Sequence, residues 1–310
     1  MRIFWSSIPA DELTGRAEAA YLGLALGDAL GATVEFMTPR EIQAKHKVHG
    51  DIRGGGWLHL RPGQVTDDTT MSLALGEAIL ADGGRVEALS CARAFDGWMR
   101  AKPIDIGNTV RRNLLTFRKT GVPVAPESEH DAGNGAAMRV LPVALATLGQ
   151  DEAQVRAAVR AQAHVTHHNP ASDAAAEFLA LTVQDAIRGA PLRDIYRRRI
   201  QPLVQAEPSF AYRQRRRENP SGWIVETMQA VLQAFLDTGS FEDCLINVVN
   251  RGGDADTTGA IAGMLAGAHY GRGSLPGRWL RALDPVARER CVFQAHGLLP
   301  KDLISEAKAA

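Results

Sequence analysis

The chain has 310 residues, with 35 Lys and Arg balanced by 35 Asp and Glu, and three cysteines at 91, 244 and 291. Zero formal charge excludes a global attraction to nucleic acid or to an anionic membrane. Three widely spaced thiols without a C-x-x-C provide neither a disulfide framework nor a thiolate metal site. No eighteen apolar residues run together, and the opening MRIFWSSIPADE lacks the pattern of an export signal, so a cytoplasmic chain is expected.

In chain order, Gly15 to Leu30 (GRAEAAYLGLALGDAL) reads as an alanine- and leucine-rich helix broken by small residues, with Asp28 as its polar exception. In the following GATVEF, Glu35 stands between Val34 and Phe36. A lone Glu beside a core helix is ordinarily half-exposed or salt-bridged; its apolar setting also fits a catalytic acid. The glycine-rich loop Gly54 to Gly63, with room for one short strand before Val65, leads into VTDDTT and an amphipathic helix. Val86 to Arg100 reads as a helix that Pro103 ends, which leaves Asp105 and Asn108 in a loop, where Asp-x-x-Asn is also a common Asx-turn pattern.

In DAGNGAAMRV, Gly133 and Gly135 flank Asn134 ahead of a helical run that holds Met138 and Arg139. Amides in such a turn, with an arginine one turn on, form an anion site; plain helix entries look alike. His164, His167 and His168 precede a helix started by Asn169 and Pro170 and ended by Gly189. They lie in a loop with no cysteine nearby, which disfavours zinc and leaves a hydrogen bond to a substrate or to the acidic site as the better use. Asp194 to Arg217 is basic: a solvated face, or a docking patch for an acidic partner protein. Ser221 to Phe235 is amphipathic, with Trp223 at its start as a core anchor or a stacking platform. Gly252 to Gly271 (GGDADTTGAIAGMLAGAHYG) places Asp254, Asp256, Thr257 and Thr258 ahead of a helix whose Gly259, Gly263 and Gly267 share one face. Each glycine costs a helix about 1 kcal/mol relative to alanine, so three predict deep burial in a bundle. Beyond Gly271, including KDLISEAKAA, polar helices and a frayed end are expected.

The TDDTT and DADTT strings share a design: a glycine-containing loop delivers two aspartates and threonines to a helix start. Adjacent carboxylates repel unless a cation neutralises them. Four aspartates with threonine hydroxyls form an all-oxygen ligand set suited to Mg²⁺ or Mn²⁺, two of which can lower the pKa of a shared water. Two separate helix caps would use the same residues. A metal site requires both ends of the chain in one fold, so a single predominantly α-helical domain over 1–310, with its core at about 15–300, is the expectation.

LGLALGDALGATVEF, VTDDTTMSLALG, DIGNT, DAGNGAAMR, VTHHNP and VNRGGDADTTGAIAGMLAGAHYG, in that order, resemble the ADP-ribosylglycohydrolase family from about Ala17 to Gly271. The resemblance implies a compact all-α fold with a binuclear Mn²⁺ or Mg²⁺ cleft. By motif, Thr66, Asp67 and Asp68 match one ligand set, and Asp254, Asp256 and Thr257 the other. Glu35 and Asp105 match acidic residues in or beside the metal shell; Asp105 is read as the base that orients or deprotonates the attacking water and Glu35 as the group that positions ribose or a metal-bound water, with the two roles open to exchange. Asn108, Thr109, Glu129, Gly133, Asn134, Gly135, Met138, Arg139 and His167 match substrate-lining positions. Trp223 stands where a Tyr is expected at the adenosine end. The implied reaction hydrolyses the N-glycosidic bond between ADP-ribose and a protein arginine. The closest branch implies dinitrogenase reductase, the iron protein of nitrogenase, as substrate. It also implies a PII-type signalling protein and an ammonium transporter as regulators, with reversible membrane association through them. Alternatives are another ADP-ribose linkage, to serine or an acetyl group; a two-metal phosphodiesterase; and a non-catalytic ADP-ribose-binding or structural member.

Overall fold

The slim face read in Gly259, Gly263 and Gly267 meets an equally slim face on the first helix. In the computed structural model, which describes residues 8–309, the positioning helices are α1 (Ala10–Gly31), α2 (Asp67–Ala81), α3 (Asn108–Thr120), α4 (Pro170–Ile187), α5 (Ile224–Asp237), α6 (Phe241–Val249), α7 (Ala255–Tyr270) and α8 (Pro285–Leu298). The first seven residues, and with them most of the N-terminal segment considered above, lie outside the described part.

α1 and α7 run antiparallel at the centre, backbone on backbone. A Cβ at Gly27 would lie 1.9 Å from Gly259 O, at Gly23 2.2 Å from Gly263 O, at Gly31 2.1 Å from Ala255 O, and at Gly267 2.0 Å from Ala19 O. Every residue of α7 from Ala255 to Ala268 is buried, as the glycine argument requires. α4, α5 and α6 pack around α7, and α2 and α8 pack on α1, so one apolar core runs from Leu13 to Leu299.

Local signals set several boundaries. Asn169 caps α4 by accepting from the Ala171 and Ser172 amides, with Pro170 in the first turn. Elsewhere the structure corrects the reading. Asn108 is the first residue of α3, not a loop residue. No strand forms among the described residues before Val65; a single bridge, Gly55 to Leu60, is all the glycine-rich loop contains. The chain beyond Gly271 is not merely polar: Trp279, Cys291, Ala295 and Leu298 are buried. There Gln294 accepts from Tyr21 Oη at 2.5 Å and donates to Leu73 O at 2.8 Å, so α8 seals the outer side of α1 and α2. All three cysteines are buried free thiols.

Candidate active site

Two loops deliver the carboxylates to one point. Beyond α1 the chain turns so that Phe36 N donates to Gly253 O at 2.7 Å and Gly253 N donates to Met37 O at 3.0 Å. Gly252 and Gly253 adopt φ of 70° and 65°, and a Cβ on them would lie 2.0 Å from Met37 O and 2.1 Å from Pro220 O. Only glycine fits there, and the pair presents Asp254 at the start of α7.

The two Asp/Thr clusters meet. Thr66 Oγ1 donates to Asp68 Oδ2 at 3.2 Å, and Thr257 Oγ1 donates to the same oxygen at 3.3 Å. Asp68 Oδ1 is buried without any hydrogen-bond partner. Carboxylate oxygens of Glu35, Asp254 and Asp256 lie within 4.8 Å of one another, the only such group among the described residues. An orphaned buried oxygen and a cluster of mutually repelling acids are the features a bound cation resolves.

Electrostatics agree. Burial, reinforced by Asp254, Asp105 and Asp67, pushes Glu35 up to about 8 even though Trp57 Nε1 donates to it at 2.6 Å. Burial and then Asp105, Asp28 and Asp254 push Asp67 up to about 7. Asp68 and Asp256 are raised well above the carboxylate range by burial and by neighbouring acids. None of these residues forms an ion pair with Lys or Arg among the described residues.

A cleft of about 340 Å³ opens above this floor. Glu35, Asp67, Asp105, Asn108, Thr109, Gly133, Asn134, Gly135, Met138, His167, Asp254, Asp256 and Thr257 line it, while Thr66 and Asp68 lie buried just beneath. Asn134 Nδ2 donates to Asp254 Oδ2 at 2.6 Å, tying the glycine loop to the acids. His167 explains the two glycines: a Cβ at Gly133 would lie 3.0 Å from its Nε2, and one at Gly135 2.7 Å from its Cε1. Burial and the nearby Arg139 and Arg112 hold the ring neutral, pushed down to about 3.

Two residues expected to line the substrate lie off the cleft wall, and a third stands at its edge. Arg139 is fully buried and points away from the cleft, donating to Gln162 Oε1 (2.7 Å), Gln162 O (3.0 Å) and Thr166 Oγ1 (2.8 Å) beneath the Phe95 ring. It therefore supplies no direct charge to an anion. Glu129 is exposed on the short turn Glu129–Asp131, off the cleft wall. Trp223 is 48% exposed and is not a core anchor; it bridges Gly133 beside Gly222, which lines the cleft. The amides read as an anion cradle are partly used: Asn134 N donates to Gly222 O, and Ala137 and Met138 donate back to Asn134 O. The other two histidines pair away from the acids, His164 with Asp173 and His168 with Ala125 O, stacked on each other at 3.8 Å.

Asp28 has a role that no motif in the sequence assigns. Asp28 is fully buried and accepts from Thr66 N (3.0 Å), Thr66 Oγ1 (3.0 Å), Thr69 N (3.1 Å) and Thr69 Oγ1 (2.5 Å). It braces the entry to α2 from behind. A lone aspartate in an apolar helix next to Gly27 was the available signal. Trp57, which fixes Glu35, carried none beyond its place in the glycine-rich loop.

A helical bundle enclosing two Asp/Thr helix entries over a cluster of acids is the architecture of a hydrolase of the ADP-ribosylglycohydrolase type. The chain matches the ADP-ribosylglycohydrolase family model over residues 9–309 and belongs to that family. It is 48% identical to the ADP-ribosyl-[dinitrogen reductase] glycohydrolase of Rhodospirillum rubrum, across 92% of this chain and 95% of that protein. It is 33% identical to the ADP-ribosylarginine hydrolase Tri1 of Serratia proteamaculans, across 91% of this chain and 78% of that one. A solved structure titled ADP-ribosylglycohydrolase-related protein complex superposes with a TM-score of 0.82 at 36% identity, covering 93% of this chain and 98% of that chain. No helix among the described residues is long and apolar enough to cross a membrane.

Proposed function

We propose that this protein hydrolyses the N-glycosidic bond between ADP-ribose and an arginine side chain of a modified protein, and that dinitrogenase reductase is that protein. The observation that carries the chemistry is the meeting of TDDTT and DADTT at Asp68, whose Oδ1 is orphaned beside the Glu35, Asp254 and Asp256 oxygens. The arginine linkage and the nitrogenase substrate rest on the two named relatives.

Thr66, Asp67, Asp68, Asp254, Asp256 and Thr257 would hold two divalent cations, Mn²⁺ or Mg²⁺, on this oxygen-only donor set. When bound, such ions supply Lewis-acid charge that orients ribose hydroxyls and acidifies water. Asp105, half-buried on the cleft wall, acts as the base toward the attacking water. Glu35, fixed by the Trp57 indole, positions the ribose. Asn108, Thr109, Met138 and the Gly133 and Gly135 amides hold the ADP-ribose. The Thr166 hydroxyl accepts from Arg139 and donates to His167 Nδ1 (2.8 Å), which leaves an N–H on Nε2 facing Gly133. Arg139 is thus a positioning residue. Trp223 offers its exposed face to the adenine. Cleavage through an oxocarbenium-like state depends on this alignment. Control by a PII-type protein and an ammonium transporter, with membrane association through them, rests on the family resemblance alone.

The test is release of free ADP-ribose from an arginine-ADP-ribosylated protein with Mn²⁺ added or chelated. Metal-dependent release supports the reading, and Asp105→Ala should then lose kcat far more than KM changes. AMP in place of ADP-ribose would identify a phosphodiesterase. Release from a serine-linked substrate alone would move the linkage, and no release from a folded, metal-loaded sample would leave a binding protein.

A further inference from the structure

The basic stretch that the catalytic cleft leaves unused folds around a second cavity. Its volume is about 410 Å³, and its wall includes Arg213, Arg216 and Arg251 with Tyr212, Gln233 and Asp237. Three guanidiniums therefore face one carboxylate. Arg251 is 1% exposed, and its hydrogen bonds all go to neutral acceptors: Gln233 Oε1 at 2.5 Å, Arg217 O at 3.3 Å and Asn247 Oδ1 at 3.1 and 2.7 Å. Burial and the neighbouring Arg216 push it down to about 10, the mark of a cation short of negative charge. Arg213 lies over the Tyr196 and Tyr212 rings, and Arg216 reaches the exposed Glu218 at 3.6 Å. The Tyr212 hydroxyl is buried beside Arg213 and Tyr196.

We propose that this cavity binds a small molecule bearing a multivalent phosphate group, and that its occupancy stiffens the catalytic cleft. Concavity decides against a protein surface as the ligand. The arginines converge on a hollow of the size small-molecule sites have, about 300–1,000 Å³, where planar guanidiniums match phosphate oxygens two at a time. The coupling is covalent and short. Arg251 is followed directly by Gly252, Gly253 and Asp254, and the chain that carries the wall residues Arg213 and Arg216 runs on to Gly222 at the cleft. The two strands of chain are laced together, Asn219 N to Arg251 O and Asp254 N to Pro220 O, each at 2.8 Å. A phosphate drawing Arg213 and Arg216 toward Arg251 would order both.

The test is calorimetric titration of the full chain with inorganic pyrophosphate, in chelator so that no cation draws the probe to the acidic cleft. One site is expected. Arg213→Ala and Arg216→Ala, both at exposed residues, should each weaken it at least threefold and together at least tenfold, while Arg215→Ala, which removes one charge off the cavity wall, should change it less than twofold. Bound pyrophosphate should also slow amide exchange at 218–222 and 252–254. ADP binding more tightly than pyrophosphate would make the source a nucleotide; equal affinity would mean the phosphate group suffices, and either supports the site. No binding at millimolar probe, or an equal loss in Arg215→Ala, would overturn it. Binding of a glutamate-rich peptide with none of pyrophosphate would replace it with a protein-docking surface. Unchanged exchange on binding would overturn the coupling. None of these readouts depends on glycohydrolase activity.

Discussion

Gly27→Ala adds one methyl group at the tightest point of the molecule. Its Cβ would stand 1.9 Å from Gly259 O, 2.3 Å from Gly259 C and 2.8 Å from Ala260 N, all backbone atoms that no rotamer change can remove. Restoring ordinary contact requires the two helices to part by roughly 1.5 Å, since carbon contacts settle near 3.5 Å. Alanine returns about 1 kcal/mol of helix propensity. Overpacking costs about 1–3 kcal/mol when side chains can adjust, and here the separation also loosens the contacts at Gly23, Gly31 and Gly267. A net loss of at least about 2 kcal/mol is expected, a fall in Tm on the order of 5 °C for a chain of this size. Asp28 adjoins Gly27, and Asp256 lies in the first turn of α7, so Mn²⁺ affinity should fall with Tm. Scanning calorimetry and Mn²⁺ titration measure both. Gly97→Ala is the control, because a Cβ there meets nothing within 4 Å and only the propensity gain applies. If Gly27→Ala melts at or above the wild-type temperature while binding Mn²⁺ normally, the backbone-on-backbone account of α1 and α7 is wrong.

Asp28→Asn replaces an acceptor of four hydrogen bonds from Thr66 and Thr69 with a group whose amide opposes them; unfolding free energy should drop by about 3 kcal/mol in a denaturant titration. Arg139→Lys should lower stability by about 3 kcal/mol while leaving KM for the modified protein within about threefold, because the guanidinium ties Gln162 and Thr166 and meets no ligand; a large KM rise at constant Tm would restore it as an anion contact. In chelator, the protein should lose on the order of 2 kcal/mol between pH 6.5 and 8.5, and saturating Mn²⁺ should flatten the dependence. The sign follows from folded values raised to about 7 for Asp67 and about 8 for Glu35: protons held in the folded state stabilise below the ordinary carboxylate range and are lost as pH rises through those values. His49 and His167, lowered to about 4 and about 3, lose stability only as pH falls below their ordinary 6.5, outside that window.

The spacing of Gly259, Gly263 and Gly267 was legible because periodicity on one helix is a local property, and burial of that helix followed. Its partner face, Gly23, Gly27 and Gly31, is written with the same spacing, yet nothing local says that two such faces belong together. The Asp/Thr clusters were likewise legible as chemistry, while their meeting at Asp68 depends on both ends of the chain sharing one core. Arg139 was misread for a related reason. A glycine turn announces backbone amides, but whether an arginine four residues on turns inward is decided by what lies behind it, here Gln162, Thr166 and Phe95. The C-terminal helices looked polar because their buried residues, Trp279, Cys291 and Ala295, are sparse among arginines and glutamate.

Gathering six acidic side chains in one place, five of them buried and Asp254 half-buried, is expensive, and the fold declines the easiest remedy. An arginine or lysine among Asp28, Glu35, Asp67, Asp68, Asp254 and Asp256 would neutralise the cluster, but the described groups that reach these acids are neutral donors: Trp57 on Glu35, Asn134 on Asp254, Thr66 and Thr69 on Asp28. Neutral donors position a carboxylate without filling its place as a ligand, and they leave the demand for positive charge unmet. That demand pushes the loops apart, so the frame must resist it. Backbone packed on backbone between α1 and α7 has no side chains to yield, and the glycine pair ahead of Asp254 is pinned on both sides by Met37 and Pro220. The glycines that cost the helices intrinsic stability are what allow the acids to be held close together, and so the same residues account for the core and for the clustered acids of the site.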